Sequence, residues 1–168
     1  MLAAALCSCA RYPESYPPPE QRRAPEGINP DSAPMLVEMS NPGASWHIVK
    51  DIDPGEPGAQ WRWTKQNPTV KILAVTTQGM KLTVDFTLWD VAFRQTGPVE
   101  LTFLVNGKPL DKIRYTTPCE KHFEKPIPPD WLATDVESMI SISVDKLYIA
   151  PQDGAKFGFI LSRIGFSR

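Results

Sequence analysis

Met80-Lys81-Leu82-Thr83-Val84-Asp85-Phe86-Thr87-Leu88 alternates apolar and polar residues without a break. A period of two places Leu82, Val84, Phe86 and Leu88 on one face of a strand and Lys81, Thr83, Asp85 and Thr87 on the other. Val99-Glu100-Leu101-Thr102-Phe103-Leu104-Val105 repeats the scheme, with Val99, Leu101, Phe103 and Val105 inward. It runs into Asn106-Gly107, a pair that accepts positive φ at both positions and so marks a tight hairpin. The return strand falls near Pro109 to Tyr115. Together these segments predict antiparallel strands with one core face and one wet face.

Working outward, further strands are expected at Trp46–Val49, Gln60–Thr64, Val70–Val75, His122–Ile127, Met139–Val144 and Phe157–Phe166. An amphipathic turn is expected at Asp130–Glu137, and no long helix can be placed. Eight or nine short strands separated by Gly, Pro and Asp turns predict an all-β fold: a two-sheet antiparallel β-sandwich of jelly-roll type over residues 45–168.

The first part of the chain has a different chemistry. Ten of the 18 prolines precede residue 60, recurring at Tyr12-Pro13, Tyr16-Pro17-Pro18-Pro19, Ala24-Pro25, Asn29-Pro30, Ala33-Pro34 and Asn41-Pro42. Proline supplies no N–H and biases the residue before it toward extended backbone, so residues 10–44 read as a polyproline tether. Met35-Leu36-Val37 interrupts the tract and is a candidate edge strand. Residues 1–9 end in Leu6-Cys7-Ser8-Cys9, which resembles the close of a bacterial lipoprotein signal peptide, with Leu6 and Ser8 at the two recognition places before a lipidated Cys9. That resemblance implies a lipid anchor and an exported domain in the bacterial cell envelope, each buried methylene of the acyl chains contributing about 0.8 kcal/mol.

Composition excludes several classes. The 168 residues carry 18 basic and 19 acidic side chains, so no net field favours a polynucleotide, and no basic patch interleaves with aromatics. No phosphate loop, G-x-S-x-G elbow or cofactor signature occurs, and neither an enzyme nor a bound cofactor is expected. Cys119-Glu120-Lys121-His122 has C-x-x-H spacing without a second ligand pair, which argues against a metal. Nothing in the spacing pairs Cys119 with a leader cysteine. Asp51-Ile52-Asp53-Pro54-Gly55-Glu56 is acidic but reads as a solvated turn and not as a calcium loop.

Over residues 46–168 the chain resembles bacterial jelly-roll domains related to galactose-binding-like and carbohydrate-binding modules. The residues that carry this are Gln60-Trp61-Arg62-Trp63-Thr64, the Val99–Val105 strand with Asn106-Gly107, and Asp153-Gly154-Ala155-Lys156-Phe157-Gly158-Phe159. In the closing motif Ala155 stands where those domains carry Arg, and Phe157 where they carry Leu. The resemblance implies a non-catalytic domain whose partner is a saccharide or an envelope component.

Five tryptophans fit that reading, because indole faces stack on the C–H face of a pyranose. The candidate ligand-binding set is Trp89, Asp85, Arg62 and Trp63. Trp89 shares a face with Asp85 and reads either as an exposed platform or as the cap of the sandwich. Trp61 and Trp63 share one face of their strand, with Arg62 opposite, and are expected in the core. A structural or assembly protein, contacting other chains through a sheet edge or face, is the other reading.

Overall fold

The computed structural model describes residues 35–56 and 58–168. Its strands are β1 Leu36–Glu38, β2 Ile48–Ile52, β3 Arg62–Ile72, β4 Lys81–Leu88, β5 Val99–Val105, β6 Lys108–Tyr115, β7 Cys119–Pro126, β8 Ser138–Val144, β9 Tyr148–Ile149, β10 Lys156–Phe157 and β11 Ile160–Ser167. One seven-residue helix, α1 (Asp90–Thr96), and 3-10 turns at Pro42–Trp46 and Pro129–Trp131 complete the described elements.

The two alternating stretches become β4 and β5. Their inward residues, Leu82, Val84, Phe86, Leu88, Val99, Leu101, Phe103 and Val105, are all buried. Each such side chain contributes about 1.5–3 kcal/mol by leaving water. Asn106 and Gly107 take φ of 50° and 77°, as the hairpin between β5 and β6 requires. The Asn106 side chain also accepts the Met139 N–H at 2.8 Å and donates to the Trp131 carbonyl at 2.7 Å. The turn thereby fixes the start of β8.

Nine strands form one antiparallel sheet in the order β6-β5-β8-β3-β11-β4-β7, with β2 on β3 and β1 on β11, while β9 and β10 form a separate ribbon. The sheet folds over on itself. Phe103 of β5 stacks flat on Phe123 of β7, with ring centroids 3.7 Å apart, and Phe86 of β4 packs against Phe103 and Phe159. Its two end strands meet at a seam, where Lys125 of β7 pairs with Asp111 of β6 at 2.8 Å. The result is a sheet nearly closed into a barrel.

The all-β, antiparallel expectation holds, but the pairing does not divide into two separate sheets. The reason lies in β3. At Thr69–Ile72 it pairs with β8, and at Arg62–Trp63 it pairs with β11. A long strand with register shifts against its neighbour serves both layers and makes a corner between them. The segments expected at Gln60–Thr64 and Val70–Val75 are therefore one strand.

The edge strand expected at Met35-Leu36-Val37 forms, and the rest of residues 35–44, placed in the tether, packs with the body as well. β1 pairs with β11 through Leu36 opposite Gly165, and Val37, Met39 and Ala44 are buried. Gly165 permits this approach: a Cβ there would lie 2.1 Å from the Met35 carbonyl oxygen. The segment expected as a strand at Trp46–Val49 begins instead as the 3-10 turn, and its strand starts at Ile48. Helix α1, short enough to agree with the expectation of no long helix, has Arg94 paired to Asp90 one turn away and Gly97 closing it at φ 66°.

Candidate functional site

The site begins at the N-terminal half of β3, where polar and aromatic residues exchange their expected places. Trp61 and Trp63 do share a face, but it is the outer one, and Trp61 is 41% exposed. Arg62 and Thr64 point inward and are buried. Their polar atoms are satisfied there. The Thr64 hydroxyl donates to the Phe159 carbonyl at 2.8 Å and accepts the Phe159 N–H at 2.9 Å. Arg62 donates from Nε to the Met39 carbonyl at 3.3 Å and from Nη1 to the Ser45 hydroxyl at 3.0 Å. Buried polar groups are tolerated once bonded, and this frees the indoles for the surface. Placing Trp61 and Trp63 in the core is thus corrected. So is the grouping of Arg62 with Trp63, Trp89 and Asp85, because Arg62 lies on the opposite side of the strand.

On the outer face the aromatics form a run. Trp61 and Trp63 meet edge to face at 5.9 Å, Trp63 and Trp89 at 5.6 Å, and Trp89 and Tyr148 at 5.6 Å, while Phe157 packs on Trp63 at 5.1 Å. Such pairs contribute about 0.5–1.5 kcal/mol each beyond burial and hold the rings in fixed orientations. Trp89, 38% exposed, stands at the junction of β4 and α1. The ribbon of β9 and β10 supplies Tyr148 and Phe157.

Strand register sets polar residues beside these rings. Ile160 of β11 lies opposite both Trp63 and Thr87, and Thr87 lies opposite Glu120 of β7. Two residues along β4, about 7 Å away, Asp85 lies opposite Arg163 on one side and His122 on the other, with Glu38 of β1 beyond Arg163. Asp85 is the hub of this second row. Its Oδ1 accepts from His122 Nδ1 at 2.5 Å, and its Oδ2 accepts from Arg163 Nε at 2.6 Å and lies 2.6 Å from Arg163 Nη2 in an ion pair. Burial pushes the Asp85 carboxyl up, but the hydrogen bonds and charges of His122 and Arg163 outweigh it and hold the group below its ordinary value. Asp85 is therefore an ionised acceptor already oriented by two donors. The bond at Nδ1 fixes the orientation of a His122 ring whose side chain is more than half exposed.

A groove of about 490 Å³ runs over this row, lined by Asp85, Thr87, Glu120, His122, Ser162 and Arg163. Past Asp85 and Arg163 it continues into a hollow of about 220 Å³ beside Glu38, Ser40 and Gln60. Hydroxyls, carboxylates, an imidazole and a guanidinium thus line a shallow channel next to exposed indoles, an arrangement able to hydrogen-bond a polyhydroxylated molecule while stacking on its apolar faces. Elsewhere, the acidic turn is internally engaged: Asp51 accepts the Asn67 N–H at 3.0 Å and Asp53 pairs with Lys65 at 3.1 Å.

Of the residues expected from sequence, the structure brings Trp63, Trp89 and Asp85 to one face and leaves Arg62 out. His122, Arg163, Tyr148 and Phe157 join that face without having been expected there. Only outward parity on β4 and β7 pointed to His122. Cys9 lies outside the described residues.

No protein-family model and no curated protein matches the chain. Among solved structures it is similar to a family 35 carbohydrate-binding module from an environmental isolate, at 13% identity and a TM-score of 0.46, over 79% of this chain and 92% of that one. It is similar also to the native family 35 carbohydrate-binding module from Clostridium thermocellum, at 11% identity and a TM-score of 0.40, over 71% and 85% of the two chains. A third similarity is to a family GH115 4-O-methyl-alpha-glucuronidase with specificity for decorated arabinogalactans, at 12% identity and a TM-score of 0.42, over 95% of this chain and 19% of that one.

Proposed function

We propose that the body is a non-catalytic, jelly-roll-type glycan-binding domain whose binding face is the outer surface of β3, β11, β4 and β7. The observation that carries this reading is the run of Trp61, Trp63, Trp89 and Tyr148 on the surface, directly beside the row of Arg163, Asp85 and His122. Indoles are costly to leave in water, and the inward positions of β3 hold Arg62 and Thr64 instead. A pyranose stacked on Trp89 would set its hydroxyls toward Thr87 and Glu120, and a longer saccharide would reach Asp85 and His122, about 13 Å along β4. The fixed ring orientations and the preset Asp85 carboxylate lower the ordering cost of such binding.

The test is titration of the chain with a panel of neutral and acidic saccharides, followed by tryptophan fluorescence. At least one saccharide shifts the emission at millimolar concentration or below, and Trp89→Ala weakens that response at least tenfold. No response to any saccharide at millimolar concentration overturns the reading.

The Leu6–Cys9 stretch supports a second element of the proposal: the domain is held at the bacterial envelope by lipid on Cys9. A Cys9→Ser variant then fails to partition with membranes. Continued partitioning refutes the anchor.

A further inference from the structure

A second cavity, of about 410 Å³, lies on the other side of β3, between the 3-10 turn at Pro42–Trp46 and the loop that precedes β3. Its wall includes Met39, Ser45, Gly55, Glu56, Trp61 and Arg62. Arg62 is 5% exposed, yet no carboxylate among the described residues comes within 4.0 Å of it. Its recorded partners are a backbone carbonyl and a serine hydroxyl, both neutral. A guanidinium keeps its charge in proteins, and a buried charge is ordinarily paired with an opposite one.

The donors are not exhausted. Nε and Nη1 are bonded, and Nη2 makes no bond to the described residues. No side-chain nitrogen among those residues is both sealed from solvent and unbonded, so Nη2 keeps access to solvent, and Arg62 is part of the wall of this cavity. The side chain is also held in place. Gly55, at φ 77°, lies so close to its stem that a Cβ there would be 3.2 Å from Arg62 Cγ. The result is a preoriented, charged donor at the wall of a cavity large enough for a small ligand group.

We propose that this cavity is an anion-binding site in which Arg62 donates from Nη2 to an oxyanion: a carboxylate, sulfate or phosphate group. Trp61 borders both this cavity and the outer aromatic run, but the anion donor, Arg62, takes no part in the function proposed above, and titration with anions in the absence of saccharide tests the two proposals apart. Glu56, the one carboxylate in the wall, opposes the anion and weakens its binding.

The experiment is calorimetric and thermal-shift titration of the full chain with inorganic sulfate, inorganic phosphate and acetate, at ionic strength held constant with chloride. At least one of the three gives saturable binding and raises the melting temperature, and which one does so identifies the preferred oxyanion. Glu56→Gln tightens that binding several-fold, and Arg62→Gln abolishes it. Glu56→Gln leaves the guanidinium and its bonds intact, so the proposal remains testable even where Arg62→Gln does not fold. Absence of saturable binding of all three anions to both the wild type and Glu56→Gln overturns it, as does binding that Glu56→Gln leaves unchanged.

Discussion

The two outer surfaces of the folded sheet obey the same alternation over the same core, yet they carry different chemistry. On β5 and β8, Thr102 lies opposite Ser143 and Leu104 opposite Ser141, and Ser141 also meets the hydroxyl of Thr69 at 3.1 Å. Hydroxyl side chains, Leu104 and the Glu100–Lys112 ion pair share that surface. On β3, β11, β4 and β7 the corresponding positions hold indoles, an arginine, a histidine and carboxylates. Folding requires inward residues that are apolar or, like Arg62 and Thr64, bonded internally, and makes no such demand of the outward ones. The contrast therefore separates what the fold needs from what the second surface adds.

The largest effect that tests this contrast is on stability. Phe103→Ala, in the core between the layers, is expected to cost about 3–5 kcal/mol in chemical denaturation. Trp89→Ala, on the outer surface, loses two edge-to-face contacts and is expected to cost only about 1–2 kcal/mol. Equal losses would mean that the outer aromatics belong to the core, and the contrast would dissolve. Next comes binding. Trp61→Ala or Trp89→Ala weakens saccharide affinity at least tenfold, equivalent to about 1.4 kcal/mol, in fluorescence titration, whereas Ser141→Ala or Ser143→Ala leaves it unchanged. Loss of binding in a serine variant would move the site to the other surface.

The third test uses pH. The folded carboxyl of Asp85 lies below its ordinary value of 3.8, so its contribution is fully present above that value and is lost as pH falls through the folded one. Wild type is therefore more stable than Asp85→Asn near neutrality, and the difference shrinks with acidification below 3.8. Denaturant melts from about pH 6 down to about pH 2.5 measure it, with His122 and Arg163 intact in both proteins. A gap that stays constant to the lowest pH would remove Asp85 as the hub of the row. The smallest effect belongs to the plain surface. Lys112 pairs with Glu100 at 2.7 Å in an exposed setting, and Lys112→Ala is expected to change stability by no more than about 1 kcal/mol and binding not at all.

What the sequence made legible follows from range. Leu82 to Leu88 and Val99 to Val105 announce their faces through neighbours two residues away, and Asn106-Gly107 announces its turn within two residues. Trp61 and Trp63 could not be placed by that logic. Their facing depends on whether Arg62 and Thr64 find partners inside, and those partners, Met39, Ser45 and Phe159, stand 23, 17 and 95 residues away. The polar row is equally non-local, joining Asp85 to residues 37 and 78 positions along the chain. Only the register of β4 against β7 and β11 unites them. Helix α1 did leave local marks, Asp90 at its start and Gly97 at its end, but seven residues are too few for a 3.6-residue period to show.

Gly165 carries a mechanical consequence. Because it has no side chain, the backbone at Met35 lies directly on β11, and this is where chain arriving from the N-terminal side joins the body. A pull along that chain loads the three residues of β1 first and passes next to β11, the strand that presents Arg163 to Asp85. Residues 36–38 are in effect a short coupling between the line of force and the surface proposed to hold the ligand.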